Sequence, residues 1–218
     1  MIIAIDGPAG SGKSTTAKLL ADKLKFIYLD TGAMYRAVTL YFLNNSIDIE
    51  NSSQINRSLE KINLKINFSN NIFRVFINDK DVSNDIRTQT INDSVSVVSK
   101  ISRVRRKMVE IQRNFSKNKD IVIEGRDIGS HVFPGAKFKF FLVADISARA
   151  KRRLNEMPDD SSITISDLVL KLTQRDKIDS NRNISPLIKT DDALKIDTTS
   201  LTIKEQVDKL YNIITDNN

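Results

Sequence analysis

Cysteine is absent from this 218-residue chain, which excludes a disulfide framework and any thiolate metal site. A reducing, cytoplasmic setting is therefore the default expectation. Long hydrophobic runs are also missing. The longest, such as Ile2-Ile3-Ala4-Ile5, are strand-sized and fall far short of the ~20 residues of a membrane span. The N-terminus shows no basic segment followed by an apolar one, so no signal peptide is expected. Glycine and proline are scarce, at 7 and 4 residues, so the places where they cluster carry information. No fixed-period repeat, Pro-rich linker or low-complexity block is visible. The single histidine, His131, is read as structural.

What is present describes an ordinary globular protein, 40% hydrophobic and 28% charged. The length suits one domain over residues 1–218, carrying an insertion, with a sizeable core. Lys and Arg exceed Asp and Glu by 34 to 27, a net charge of +7. That balance suits polyanionic partners, from nucleotides to nucleic acid. It equally suits simple solubility in a Lys- and Asn-rich composition.

Hydrophobic patterning predicts an α/β chain. Met1 to Ile5 reads as a buried strand. Ala17, Leu20, Ala21 and Leu24 recur at helical spacing, giving an amphipathic helix from Ser14 to Lys25. A second apolar run, Phe26 to Leu29, is followed by a helix from about Ala33 to Leu43. Strand, helix, strand, helix opens a parallel sheet. The pattern then changes to period two at Leu64–Phe68, turns at Ser69-Asn70-Asn71, and returns at Ile72–Ile77. This predicts a small antiparallel insertion spanning roughly residues 60–100. After a helix carrying Val104, Met108, Ile111 and Phe115, strands are expected at 121–123, 138–144 and 194–197. A final helix opens with the capping box Thr202-Ile203-Lys204-Glu205 and buries Val207, Leu210, Tyr211 and Ile214. Five core strands result, with helices between them.

Gly7-Pro8-Ala9-Gly10-Ser11-Gly12-Lys13-Ser14 fits the G-x-x-x-x-G-K-[ST] phosphate loop completely, between a strand and an amphipathic helix. Its glycines let backbone N–H groups wrap around phosphate oxygens, and the helix adds its positive dipole end. Lys13 would reach the β- and γ-phosphates and Ser14 would sit on Mg²⁺. Such a loop implies a nucleoside triphosphate without identifying the phosphate acceptor.

Three further segments end at the same sheet edge or carry paired charges. Leu29-Asp30-Thr31-Gly32-Ala33-Met34-Tyr35-Arg36 follows the second strand. There Thr31 is an expected helix N-cap, Arg36 is a phosphate ligand or a solvated side chain, and Tyr35 is site or core. Glu124-Gly125-Arg126-Asp127 follows the third strand and reads as a ligand turn or a plain one. A carboxylate there could position water around Mg²⁺, and Arg126 could bind phosphate. Arg175, Asp179 and Arg182 share a face if helical, either as a ligand cluster or as a surface ion-pair ladder. The basic runs Arg103 to Arg113 and Arg149 to Arg153 are, by themselves, solvated faces.

Taken together, these segments resemble the bacterial cytidylate kinases, a family of nucleoside monophosphate kinases. The resemblance adds Asp81-Val82-Ser83, Ile86-Arg87-Thr88, Ile128-Gly129, Phe133-Pro134 and Arg175-Asp176 through Asn181-Arg182, in the family's order along nearly the whole chain. It implies a P-loop kinase fold with a five-stranded parallel sheet, the insertion as a monophosphate-binding subdomain, and a lid over about residues 149–182. It implies transfer of phosphate from ATP, with Mg²⁺, to CMP or dCMP, by a monomer without nucleic-acid or membrane partners. Gly7 to Ser14 with Thr15 would hold the donor phosphates, Ser14 bearing the metal. Thr31, Ser96, Arg105, Arg126 and Asp127 match positions that hold the cytosine base. Arg36, Arg126 and Arg182 match phosphate contacts, and Arg175 and Asp179 match sugar contacts. Tyr35 completes the substrate-binding set. Lys13, Arg126 and Arg153 are the expected catalytic residues, with Arg149 and Arg152 beside Arg153 in the lid. Ile178 and Ser180 stand where the family often has further charges, and Glu124 where it varies between Asp and Glu. Another small acceptor (UMP, AMP or shikimate) or a nucleic-acid-binding P-loop protein are the alternatives.

Overall fold

The computed structural model describes residues 1–70, 72–157 and 163–217. Asn71 of the expected turn, and residues 158–162 within the expected lid segment, lie outside the described residues. The chain opens with β1 (Ile2–Asp6), α1 (Lys13–Leu24), β2 (Ile27–Asp30) and α2 (Thr31–Asn44). Next come α3 (Ser52–Lys61), β3 (Leu64–Ser69), β4 (Ile72–Ile77), β5 (Lys80–Asp81) and α4 (Gln89–Val98). The remainder is α5 (Ser102–Ser116), β6 (Ile121–Gly125), β7 (Phe138–Val143), α6 (Ile146–Leu154), α7 (Ile165–Asn181), β8 (Leu194–Asp197) and α8 (Ile203–Asp216).

Five strands form one parallel sheet in the order β2-β6-β1-β7-β8, as the patterning predicts. Both faces of such a sheet are covered, so its strands are apolar almost throughout; every residue of β6 is buried. One face carries α1 and α8, where Leu20, Ala21, Leu210 and Ile214 pack on Ile3, Ile5 and Phe140. The other face carries α2, α5 and the insertion, where Met34, Val38, Val75, Val104 and Met108 share a second core. The expected antiparallel sheet forms as β3-β4-β5, but it ends at Asp81, and the remainder of the segment expected to about residue 100 carries the helix α4 instead.

Register sets the site. Asp30 of β2 pairs with Glu124 of β6, and Asp6 of β1 pairs with Gly125. The carboxyl ends of three neighbouring strands thus deliver Asp30, Glu124 and Asp6 to one edge, where open α/β sheets bind ligands.

Some local expectations change. Thr31 is not an N-cap but the first residue of α2; Asp30 caps it, its Oδ1 accepting from the Ala33 amide at 2.8 Å. Tyr211, Ile111 and Phe115 are only half-buried. The His131 side chain is exposed, while its backbone carbonyl accepts from Arg113 at 3.0 Å and its amide donates to Asp127 O at 2.9 Å. The Thr202–Glu205 capping box is present, and α7 opens with a second one, Thr164–Asp167.

Candidate active site

Close approach explains why the loop between β1 and α1 begins with glycine: a Cβ on Gly7 would collide with the Leu142 carbonyl oxygen of β7. Gly12, the N-cap of α1, has φ +86°, and a Cβ there would meet Gln206 of α8. Between these points each carbonyl finds a donor. Pro8 O accepts from Lys13 Nζ at 3.1 Å, and Ala9 O from Arg149 Nη1 at 3.1 Å. Gly10 O accepts from Arg152 Nη1 at 3.4 Å, Ser11 O from Thr198 Oγ1 at 2.9 Å, and Gly12 O from the Thr16 amide at 3.0 Å. With the carbonyls engaged, the loop's amides are left to wrap an anion.

Arg149 and Arg152 are therefore not free lid cations. Arg149 is buried and also binds Ala144 O and Asp176 of α7, the latter at 2.7 Å. Arg152 binds both the hydroxyl and the carbonyl of Thr198. Only Arg153 of this trio lines the cleft, and it pairs with Glu156 at 2.9 Å.

The cleft, open to solvent, runs from the phosphate loop across the ends of β2 and β6 to α4, α5 and α7. It gathers Gly10, Lys13 and Ser14 with every expected acceptor-side residue: Thr31, Tyr35, Arg36, Ser96, Arg105, Arg126, Asp127, Arg175, Asp179 and Arg182. Gly12 and Thr15 instead face a second opening toward α8, and Gly7, Pro8 and Ser11 line neither. Seven cations and four carboxylates line the cleft.

Asp179 is not part of a surface ladder. It is buried, its Oδ2 accepts from Arg126 Nε at 2.8 Å, and Arg182 lies 4.0 Å from its other oxygen. Arg182 is the C-cap of α7 rather than a helical residue, and it also approaches Asp127 at 3.5 Å. Arg105, unlike the exposed Arg103 and Arg106 beside it on α5, is turned inward. It is buried, pairs with Asp127, donates to Ser99 O at 3.2 Å, and stacks 5.4 Å from the Tyr35 ring. Tyr35 is thus both core and cleft wall. Arg36 binds Asp30 at 2.9 Å, and the Thr31 hydroxyl donates to Glu124 O at 2.7 Å. Arg36, Arg105 and Arg175 each keep a buried Nε with no hydrogen-bond partner, unsatisfied donors of the kind a multi-oxygen anion would use.

Burial governs the ionisation of the central groups. It drives the Lys13 ammonium down to about 7, with Arg126 adding to the effect and Glu124, 4.0 Å away, opposing it. Burial also raises the Glu124 carboxyl, and the Asp30 charge adds to that. Asp179 goes the other way, because Arg126 and Arg175 outweigh its burial. Arg175 falls to about 10 through burial beside Arg126.

The donor set at the sheet edge fits a hard cation that arrives with a nucleotide. The exposed Ser14 hydroxyl stands in the cleft with the carboxylates of Glu124 and Asp30, and all three are oxygen ligands.

The family model for cytidylate kinase matches residues 3–216. The chain belongs to the cytidylate kinase family. The cytidylate kinase of Fusobacterium nucleatum is 49% identical over 208 residues, covering 95% of this chain and 94% of that protein. That of Oceanobacillus iheyensis is 45% identical over 217 residues, covering 97% and 93%. Among solved structures, a shikimate kinase from Acinetobacter baumannii superposes with a TM-score of 0.50 at 14% identity, covering all of this chain and 94% of that one. The last comparison speaks to the fold alone. Among the described residues no helix is long and apolar enough to cross a membrane.

Sequence reasoning overlooked several contributors to this site. Asp30 and Gly32 line the cleft, and Asn92, Val95, Ser99 and Leu172 close its far side. The Asp30 signal was available, since a carboxylate six residues before Arg36 flanks the turn. Thr198 acts on the loop from more than 130 residues away, as do Arg149 and Arg152, which were expected in the lid; no local pattern announces these contacts.

Proposed function

We propose that this protein transfers the γ-phosphoryl group of ATP to the phosphate of CMP or dCMP, giving ADP and CDP or dCDP. One observation carries the proposal: a single cleft joins the phosphate loop, through a collar of arginines, to the buried Arg105–Asp127 pair beside Ser96. Anion binding at one end and paired polar groups able to read a base edge at the other suit a nucleoside monophosphate as acceptor.

Phosphoryl transfer asks for positioning and charge neutralisation rather than a covalent nucleophile. In this reading Gly7 to Thr15 hold the donor phosphates. Lys13 and Arg126 take up charge between donor and acceptor, and Arg153 joins them on leaving Glu156. Arg36, Arg126 and Arg182 grip the acceptor phosphate, since the guanidinium fork matches phosphate oxygens. Thr31, Ser96, Arg105 and Asp127 read cytosine, with Tyr35 as the wall beneath Arg105, and Arg175 and Asp179 meet the sugar. Mg²⁺, held by Ser14 together with the phosphates, would neutralise donor charge. The insertion of about residues 60–100 then serves the acceptor side, and residues of about 149–182 act as a lid that excludes water.

The test is direct product analysis. Incubation with ATP, Mg²⁺ and CMP, followed by anion-exchange separation, is expected to give CDP and ADP in equal amounts. ADP accumulating without CDP would refute the acceptor assignment.

A further inference from the structure

Asp6 is buried at the end of β1, directly before the phosphate loop, and no step above uses it. Its two carboxylate oxygens accept from two consecutive amides across the sheet edge. Ile128 N donates to Oδ1 at 2.9 Å and Gly129 N to Oδ2 at 2.7 Å. These amides open a single π-helical turn, Ile128–Val132, whose His131 and Val132 amides bond back to Asp127 O at 2.9 and 3.0 Å. The turn therefore begins and is tied at the residue that faces the acceptor. Space around the clamp is tight: a Cβ on Gly129 would lie 3.2 Å from Lys139 Cδ and 3.5 Å from Asp6 Oδ2.

We propose that Asp6 is a positioning residue for the acceptor site: by gripping the Ile128 and Gly129 amides it fixes the Arg126–Asp127 pair just before them. The inference deepens the acceptor reading above and rests on it. The donor side is held by other means, because the loop carbonyls are tied by Lys13, Arg149, Arg152 and Thr198 rather than by Asp6. Loss of the clamp should therefore separate the two nucleotides, weakening CMP and sparing ATP.

Protonation should loosen the same clamp. Burial pushes the Asp6 carboxyl up to about 7 against the pull of the two amides, with Asp127 adding to the rise and Arg126 opposing it. From β7, the Lys139 chain runs beside Gly129 while its ammonium binds Pro134 O and Asp192. Below pH 7 the carboxyl gains a proton, and one oxygen becomes a donor facing an N–H. Acceptor binding is expected to weaken as pH falls from 8 to 6.

The decisive variant is Asp6→Asn, whose amide offers one acceptor oxygen where two are needed. Calorimetric titration should show the CMP Kd rising about tenfold, the size of one charge-assisted hydrogen bond, with the ATP Kd within about twofold of the parent. CMP itself titrates between pH 6 and 8, but equally for both proteins. The ratio of their affinities should therefore shrink toward pH 6, where the parent is also protonated. Unchanged CMP binding in a folded variant, or parallel loss of CMP and ATP, would overturn the proposal. A parent protein that fails to bind CMP would instead overturn the acceptor reading, and the proposal with it. If the variant does not fold, the Lys13→Met variant, which lacks the cleft's other group titrating near 7, is titrated with cytidine, whose base and sugar do not ionise in this range. Tighter binding at pH 8 than at pH 6 supports the clamp, and equal affinity refutes it.

Discussion

Arg126 and Asp179 stand 53 residues apart in the chain, yet Arg126 Nε donates to Asp179 Oδ2 at 2.8 Å inside the cleft. The carboxylate holds the guanidinium in place, so Asp179 organises the arginines besides facing the substrate. Asp179→Ala should lower kcat/KM for dCMP at least tenfold, because Arg126 loses its partner in a buried site. CMP should fall further if the carboxylate also meets the 2′-hydroxyl. Kinetics on both substrates under saturating ATP check this, and an unchanged dCMP value would contradict it.

Lys13 should change its charge when ATP binds. Burial and the nearby Arg126 bring its ammonium from 10.5 down to about 7, which disfavours the charged form in the free protein. Triphosphate oxygens favour the charged form. Binding at pH 8 is therefore expected to take up a proton, visible as a calorimetric enthalpy that depends on the buffer's ionisation heat. The Lys13→Met variant should lose that uptake. For stability, a lowered pKa means that the folded protein loses stability as pH falls from about 10.5 to about 7, with no further change below, and the same variant should remove that dependence.

Lys13→Ala should cost more than tenfold in turnover while leaving the protein folded, since one charge-assisted contact is worth roughly 1.5–3 kcal/mol. Steady-state kinetics together with a thermal melt test this. Near-normal kcat in a folded variant would remove Lys13 from the chemistry.

Arg149 tests the tied carbonyls of the loop. It joins Ala9 O, Ala144 O and Asp176, a fork that a single ammonium cannot reproduce. Arg149→Lys should weaken ATP binding several-fold and lower the melting temperature, with CMP binding changed much less. Equal loss for both nucleotides in equilibrium titrations would argue against a role confined to the loop.

Legibility in the sequence followed locality. The five core strands were readable because burial on both faces makes each a short apolar run, and the loop from Gly7 to Ser14 because its chemistry needs a fixed spacing. Helix α3 was not noted, since only Ile55, Ser58 and Leu59 are buried in it and no stripe stands out. Arg175, Asp179 and Arg182 read equally well as a solvated ladder until α7 placed Asp179 against Arg126. Thr31 appeared to be a cap because its residue type favours that role, but Asp30 took the role and freed the Thr31 hydroxyl for Glu124. The clamp at Asp6 depends on the register of β1 against β6, which no window of sequence contains.

The central claim is the choice of acceptor, and kcat/KM across CMP, dCMP, UMP, AMP and GMP at saturating Mg-ATP tests it most directly. A site that reads a base through buried hydrogen-bonding pairs rejects ligands that leave those groups unpaired. CMP and dCMP should exceed AMP and GMP by at least about a hundredfold, with UMP slower than CMP because a carbonyl replaces the exocyclic amine. Equal values for CMP and UMP, or a purine monophosphate as the best acceptor, would contradict the account.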